Sequence, residues 1–199
     1  MPRISLTDFV DIVSKSGTPK ATKVAQVKNR PKYDPATDFY KPIRDFFVEL
    51  HKKKQPKSKL KSALASVTDP KKLTNYPGII SGYSKWWGTR ALTWFDPPAD
   101  TFTAQGIDVA VNPELGLAIN GKRHLVKLYF KSEPLAKTRA DIVIHLMEKA
   151  LRPHCRQGEI MAVLDTRKAK LIVPTVAVPH LDAVLLAELA YISALWPSV

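Results

Sequence analysis

Between Ile107 and Leu164 the hydrophobic spacing changes from alternate residues to every third or fourth and back again. This order constrains the fold more than any other feature of the chain. Ile107, Val109 and Val111 alternate with Asp108 and Ala110, which predicts a strand. Asn112-Pro113-Glu114 makes a turn, and Leu115 to Ile119 returns. Asn120-Gly121 is a strong two-residue hairpin signal, followed by a strand from Lys122 to about Lys131. Residues 135–151 then read as a helix with Leu135, Ala140, Val143, Met147 and Leu151 on one side, ended by Arg152-Pro153. Ile160 to Leu164 is a continuous apolar run, suited to a strand buried on both faces, and Lys170 to Val173 returns from it. A meander followed by a helical crossover predicts an α/β fold, with a mixed central sheet of about five strands flanked by helices.

The chain before Arg90 reads as helical. Ser5-Leu6-Thr7-Asp8 caps a short helix carrying Leu6, Phe9, Val10 and Val13, and Gly17-Thr18-Pro19 stops it. Residues 18–34 are polar and basic and read as a linker or arm. A helix is expected at about 35–54, with Asp34 as cap and a stripe of Phe39, Ile43, Phe46, Phe47 and Leu50; Pro42 is tolerated early or marks a later start. A shorter helix is expected at 58–67, then a turn at Asn75-Tyr76-Pro77-Gly78, then a short helix or an irregular packed segment at 79–87. Ala91 to Phe95 is a candidate strand closed by Pro97-Pro98. The organisation expected is a basic arm with a short helix over 1–34 and one α/β domain over 35–199.

Charge narrows the choice of partner. Of the formal net charge of +13, residues 1–100 carry +10. No acid lies between Glu49 and Asp69, an interval holding Lys52, Lys53, Lys54, Lys57, Lys59 and Lys61. Clustered cations release counterions from phosphates, which favours nucleic acid, DNA or RNA, as partner; a basic surface kept for solubility is the plainer alternative. Arg167-Lys168-Ala169-Lys170 adds a basic hairpin tip, suited to a nucleic-acid backbone or to solvent. The single cysteine, Cys155, makes no internal disulfide and rules out zinc fingers of several cysteines. The amino terminus lacks a secretory h-region, and Leu181 to Trp196 is broken by Asp182, Glu188 and Ser193 and falls short of the ~20 residues of a membrane span. A cytoplasmic protein without a membrane partner is expected. The helix at 181–195 is apolar nearly all round, so deep packing or a homodimer through it is expected, the latter suiting a protein-interaction or assembly factor.

Gly106-Ile107-Asp108-Val109-Ala110-Val111, the Asn120-Gly121 hairpin, Leu125 to Lys131, the helix after Thr138 and the run 160–164 together resemble the restriction-endonuclease-like, PD-(D/E)XK nuclease superfamily over roughly residues 90–174. The resemblance implies a helix before a three-stranded meander, an aspartate on the second strand, and an acid and a lysine two apart on the third. It implies metal-dependent phosphodiester hydrolysis in DNA or RNA with Mg²⁺ or Mn²⁺ as cofactor, since hard cations take carboxylate oxygens and offset charge at the phosphate. Asp108 matches the aspartate and Lys127 the lysine, with Lys131 in reserve. The acid two before Lys127 is replaced by Leu125, and Tyr129 stands two before Lys131. Glu114 is the alternative carboxylate, following Pro113 as the family's acid follows its proline, and Glu49 is a candidate third oxygen donor. The metal ligands expected are Asp108 and Glu114. The missing acid implies either a migrated catalytic carboxylate or a scaffold that binds nucleic acid without cutting it.

Other constellations have plainer readings. Asp141, His145 and Glu148 share one helix face and read as a solvated polar face rather than a metal site. His154-Cys155 lacks an orienting acid nearby and reads as inert. Trp86-Trp87, beside Lys85 and Arg90, suits core packing first and base stacking second. Thr138-Arg139 opens the crossover helix, where an anion or a salt bridge fits equally. Walker, dinucleotide, zincin and esterase motifs do not occur.

Overall fold

A computed structural model describes residues 1–31, 38–174 and 180–199. The elements run β1 (Arg3–Ser5), α1 (Leu6–Val13), α2 (Gly17–Lys28), α3 (Lys41–Lys52), α4 (Pro70–Trp87), β2 (Leu92–Phe95), β3 (Asp100–Ala104), β4 (Ile107–Val111), β5 (Leu115–Ile119), β6 (Lys122–Tyr129), α5 (Lys137–Leu151), β7 (Ile160–Asp165), β8 (Lys170–Ile172) and α6 (Leu181–Leu195). A 3₁₀ turn spans Lys57–Ser62.

The fold is mixed α/β. A five-stranded sheet has the order β2-β5-β6-β7-β8. β2, β5 and β6 form an antiparallel meander, α5 crosses over, and β7 lies parallel to β6. At the β5–β6 hairpin, Asn120 and Gly121 have φ of 48° and 86°, the left-handed pair that a two-residue turn requires. The two faces of β6 and β7 carry separate apolar clusters, as the 2-residue strand period dictates. Leu125, Met161 and Val163 pack with α1, α5 and α6, while Val126, Leu128, Ala162 and Leu164 pack with α3 and α4.

Three expectations are corrected. β4 does not continue the meander. It pairs with β1 and β3 in a separate three-stranded sheet, joined to β3 by a tight turn with positive φ at Gln105 and Gly106. An alternating apolar pattern specifies a strand but not its neighbour. Residues 18–28 are helical rather than linker, and only Val24 of α2 is buried, so the helix has too narrow an apolar stripe to stand out in sequence. With β1 and α1 in the same core cluster, the amino-terminal segment is part of the domain rather than an arm. Finally, α4 runs unbroken through Asn75-Tyr76-Pro77-Gly78. Pro77 has no N–H to donate to the Leu73 carbonyl one turn back, and Leu73 lies on the exposed side of the helix. Tyr76, Ile79, Tyr83 and Trp86 are all buried along one face, and that burial outweighs the local turn preference. The expected cap at Asp34-Pro35 lies outside the described residues, and α3 begins at Lys41 with Pro42 in its first turn.

Gly82 explains how closely α4 approaches the sheet. A Cβ there would meet the Thr166 carbonyl oxygen at 1.9 Å. Arg167 clasps the same junction: its Nε donates to the Phe130 carbonyl (2.8 Å) and its Nη2 to Asn75 Oδ1 (2.5 Å). Helix α6 buries Leu185, Leu189 and Ile192 but leaves Val184 and Leu186 about two-fifths exposed (40% and 38%), so it is packed on one side only. Leu181–Ser198 is also the one stretch among the described residues long and apolar enough to cross a membrane by length and composition.

Gly82→Ala is expected to destabilise the protein by about 1–3 kcal/mol despite the better helix propensity of alanine, because the contact is with backbone that cannot swing away. Urea unfolding followed by circular dichroism measures it, and an unchanged or raised midpoint refutes the close approach.

Candidate functional site

Strand β6 runs on past its partner. The ladder with β5 ends at the Leu115–Val126 pair, because Pro113 ahead of Glu114 supplies no backbone N–H. The Glu114 carboxylate takes over there. One oxygen accepts from the Leu128 N–H at 2.8 Å, and the other is paired with Lys127 Nζ. Lys127 is 3% exposed, among the most buried cations of the chain. Its ammonium also donates to Thr7 Oγ1 of α1 at 2.8 Å. Glu114 and Lys127, two of the residues singled out in the sequence, thus meet at the carboxyl end of the parallel β6–β7 pair. That edge is where open α/β sheets place their ligands.

More charged groups gather around this edge. Lys131 Nζ donates to Asp11 Oδ2 at 3.0 Å, and Lys23 Nζ lies 3.1 Å from the same oxygen. Asp8 caps α1 in a box with Ser5 and pairs with Arg30. Burial alone raises the Asp8 pKa, but the Arg30 and Ser5 hydrogen bonds outweigh it and hold the carboxyl below its usual value. The Tyr129 hydroxyl donates to the Glu133 carbonyl at 2.9 Å, and burial, with Asp11 and Asp165 nearby, pushes it up to about 12. From α3, Arg44 pairs with Asp38. Burial disfavours its charge, yet Asp38, with Glu114 adding to it, raises the Arg44 pKa above its ordinary value. Thr7, Asp11 and Arg44 were not read as site residues in the sequence. Thr7 and Asp11, one turn apart on α1, were the available signal, hidden because that short helix was expected outside the α/β domain of 35–199.

Other candidates are placed elsewhere. Asp108 lies on β4 in the three-stranded sheet, where Oδ1 accepts from Thr103 Oγ1 at 2.6 Å. The expected metal ligands Asp108 and Glu114 are thus engaged separately, Asp108 by Thr103 and Glu114 by Lys127 and the Leu128 N–H. Glu49 pairs with Lys53 on the α3 surface. Leu125, in the place of the family's second acid, is fully buried apolar core. Among the described residues no group of three or more His, Cys, Asp and Glu side chains is placed to hold a metal. The donor set at Glu114 does not fit a hard divalent cation, since both oxygens are engaged and one faces an ammonium.

The basic residues divide. Lys52, Lys53, Lys54, Lys59 and Lys61 are exposed around the end of α3 and the following turn, and Lys57 is half-buried. Lys57 Nζ donates to the Gly88 carbonyl at 2.9 Å. Lys168 is exposed at the β7–β8 turn, whereas Arg167 is half-buried and committed to Phe130 and Asn75, so its expected role on a backbone is corrected to a structural clasp. Beside the lysines lies a cavity of about 330 Å³ lined by His51, Lys54, Gln55, Trp87, Leu92, Thr93 and Trp94. Trp86 is 2% exposed and packs in the core, as its plainer reading expects. His51 is buried, its Nε2 2.6 Å from the Tyr83 hydroxyl, and burial pushes its pKa down to about 4.

Lys127→Met is expected to cost about 3 kcal/mol or more, because it strands a largely buried carboxylate, and Lys127→Met with Glu114→Gln is expected to recover much of the loss. Urea midpoints of the two variants test this; equal losses would show that the pair is not coupled. His51 gives a second expectation. Its folded pKa lies below the unfolded value of 6.5, so the unfolded chain binds the extra proton between pH 6.5 and about 4. Stability is complete above that window and falls through it on acidification, by up to roughly 3 kcal/mol from this group. His124, lowered by burial, acts in the same direction. Midpoints measured across the window should fall less steeply in His51→Gln than in the wild type, and parallel slopes refute the assignment.

Comparison of the chain with family models, with curated proteins and with solved structures gives no match. The reading of the site therefore rests on its own chemistry.

Proposed function

We propose that the protein is a nucleic-acid-binding module whose core keeps a nuclease-like scaffold without the metal-holding acids of a nuclease. The observation that carries this reading is the Glu114–Lys127 pair. The acid and the lysine are in place at the strand edge, but the carboxylate is saturated by Lys127 and the Leu128 N–H, and Leu125 replaces its companion. The meander β2-β5-β6 with a parallel crossover to β7 supports the scaffold part, since a meander followed by a helical crossover is the order the resemblance implies, although the strand carrying Asp108 lies outside it. The exposed lysines 52–54, 59 and 61, in a chain of net charge +13, support the partner. The lone Cys155 fits a reducing compartment, and we place the protein in the cytoplasm.

Metal-dependent phosphodiester hydrolysis is the second reading, favoured by one observation: Pro113-Glu114 and Lys127 converge from two strands onto a single edge. The two are separated by incubating labelled DNA and RNA with the protein in Mg²⁺ and in Mn²⁺. The binding reading expects salt-sensitive association, no cleavage with either ion, and a loss of at least about tenfold in affinity on reversing Lys54, Lys59 and Lys61 to Glu. Cleavage by the wild type that is abolished in Glu114→Gln installs the enzyme reading instead. Failure to bind either nucleic acid at low salt refutes both.

A further inference from the structure

We infer that the cavity between α3, α4 and β2 is a stacking subsite for an unpaired base of a single-stranded polynucleotide. The inference rests on the nucleic-acid-binding reading above and adds the form of the substrate. The cavity, at about 330 Å³, falls within the roughly 300–1,000 Å³ of small-ligand sites. Trp87 and Trp94 line it and are only half-buried, in contrast to Trp86. The His51 ring lies 4.8 Å from that of Trp87 and backs it from the core side. Both indole N–H groups are already satisfied: Trp87 Nε1 donates to the Arg90 carbonyl (3.2 Å) and Trp94 Nε1 to Asp96 Oδ1 (3.3 Å). What the rings have left to offer is π-surface, which binds every base and selects for none.

The rim supplies the complementary charge. Lys54 lines the cavity, Lys52 Nζ sits 5.6 Å from the Trp94 ring centroid and 3.7 Å from Asp96 Oδ1, and Lys57 reaches the Gly88 carbonyl next to Trp87. Cations on the rim with aromatic rings between them suit a backbone that passes along the edge and drops a base inside. A duplex does not offer a base in this way without unstacking it, at a cost of a few kcal/mol by general experience. Helix α3 connects this cavity to the strand-edge site. Arg44, Val48 and Lys52 share one face by their i, i+4 spacing, with Arg44 under the influence of Glu114 and Lys52 over Trp94. A strand laid across α3 meets both places.

The test compares three fluorescently labelled ligands of equal phosphate number by anisotropy: an oligothymidylate, its abasic counterpart, and a hairpin duplex. The oligothymidylate is expected to bind about tenfold more tightly than the abasic strand. Trp94→Leu and Trp87→Leu are expected to remove that difference while leaving abasic binding unchanged, so that a merely unfolded variant, which loses both, is recognised. The abasic comparison itself needs no variant. Equal binding of intact and abasic strands, still weakened by reversal of Lys54, Lys59 and Lys61, overturns the subsite and leaves the nucleic-acid reading standing. No binding of any ligand overturns both.

Discussion

Strand β6 is covered on both faces, and Lys127 sits on it at 3% exposure. A charge in that position survives only with a partner, because the interior offers no water to solvate it. The rest of the site follows from that constraint. Glu114 must stop at the start of β5, where its carboxylate reaches both the ammonium and the orphaned Leu128 N–H. Helix α1 must lie against the same edge, so that Thr7 accepts a second bond from the ammonium. The strand pair β1–β4 holds α1 there, since β1 leads directly into it and pairs with β4 in register from Arg3–Asp108 to Ser5–Ala110. The small second sheet is thus an anchor for the helix that completes the site.

The same constraint shapes the chemistry. A buried ion pair contributes little net stability, because the desolvation of both partners offsets their attraction. At the mouth of the parallel strand pair it fixes the Glu114 carboxylate between the ammonium and the Leu128 N–H. The surrounding groups are paired as well: Asp11 with Lys23 and Lys131, Asp8 with Arg30, Arg44 with Asp38. The charges of such an edge are largely paired, as are those of Lys52 with Asp96 and Lys53 with Glu49 at the end of α3, while Lys54, Lys59 and Lys61 are exposed further along. The paired acid and lysine and the exposed lysines therefore occupy neighbouring regions joined by α3.

On the opposite face of the sheet, aromatic packing sets the position of α3 and α4. Phe47 stacks on Tyr83 with ring centroids 4.1 Å apart, and Tyr40 on Phe130 at 5.3 Å. Gly82 and the Arg167 clasp let α4 come down onto the β7–β8 turn. With α4 fixed, Trp87 is carried to the rim while Trp86 is carried inside. Two adjacent tryptophans thereby acquire different roles from helical geometry alone, about 100° apart around the axis.

The sequence by itself determined the α/β class, the Asn120-Gly121 hairpin, the crossover helix and the buried run of β7, because each is encoded by local period or by a backbone conformation few residues adopt. It also determined the basic stretch and named Glu114 and Lys127. Only the tertiary structure decided their company. Which strand lies beside β5 depends on long-range pairing, and β2 rather than β4 takes that place, so Asp108 goes to another sheet and Glu114 remains with Lys127. Thr7, Asp11 and Arg44 are distant in sequence from β6 and become its neighbours only through packing. The continuation of α4 through Pro77 was likewise a tertiary decision, since the buried face of four large side chains outweighs a turn preference confined to four residues.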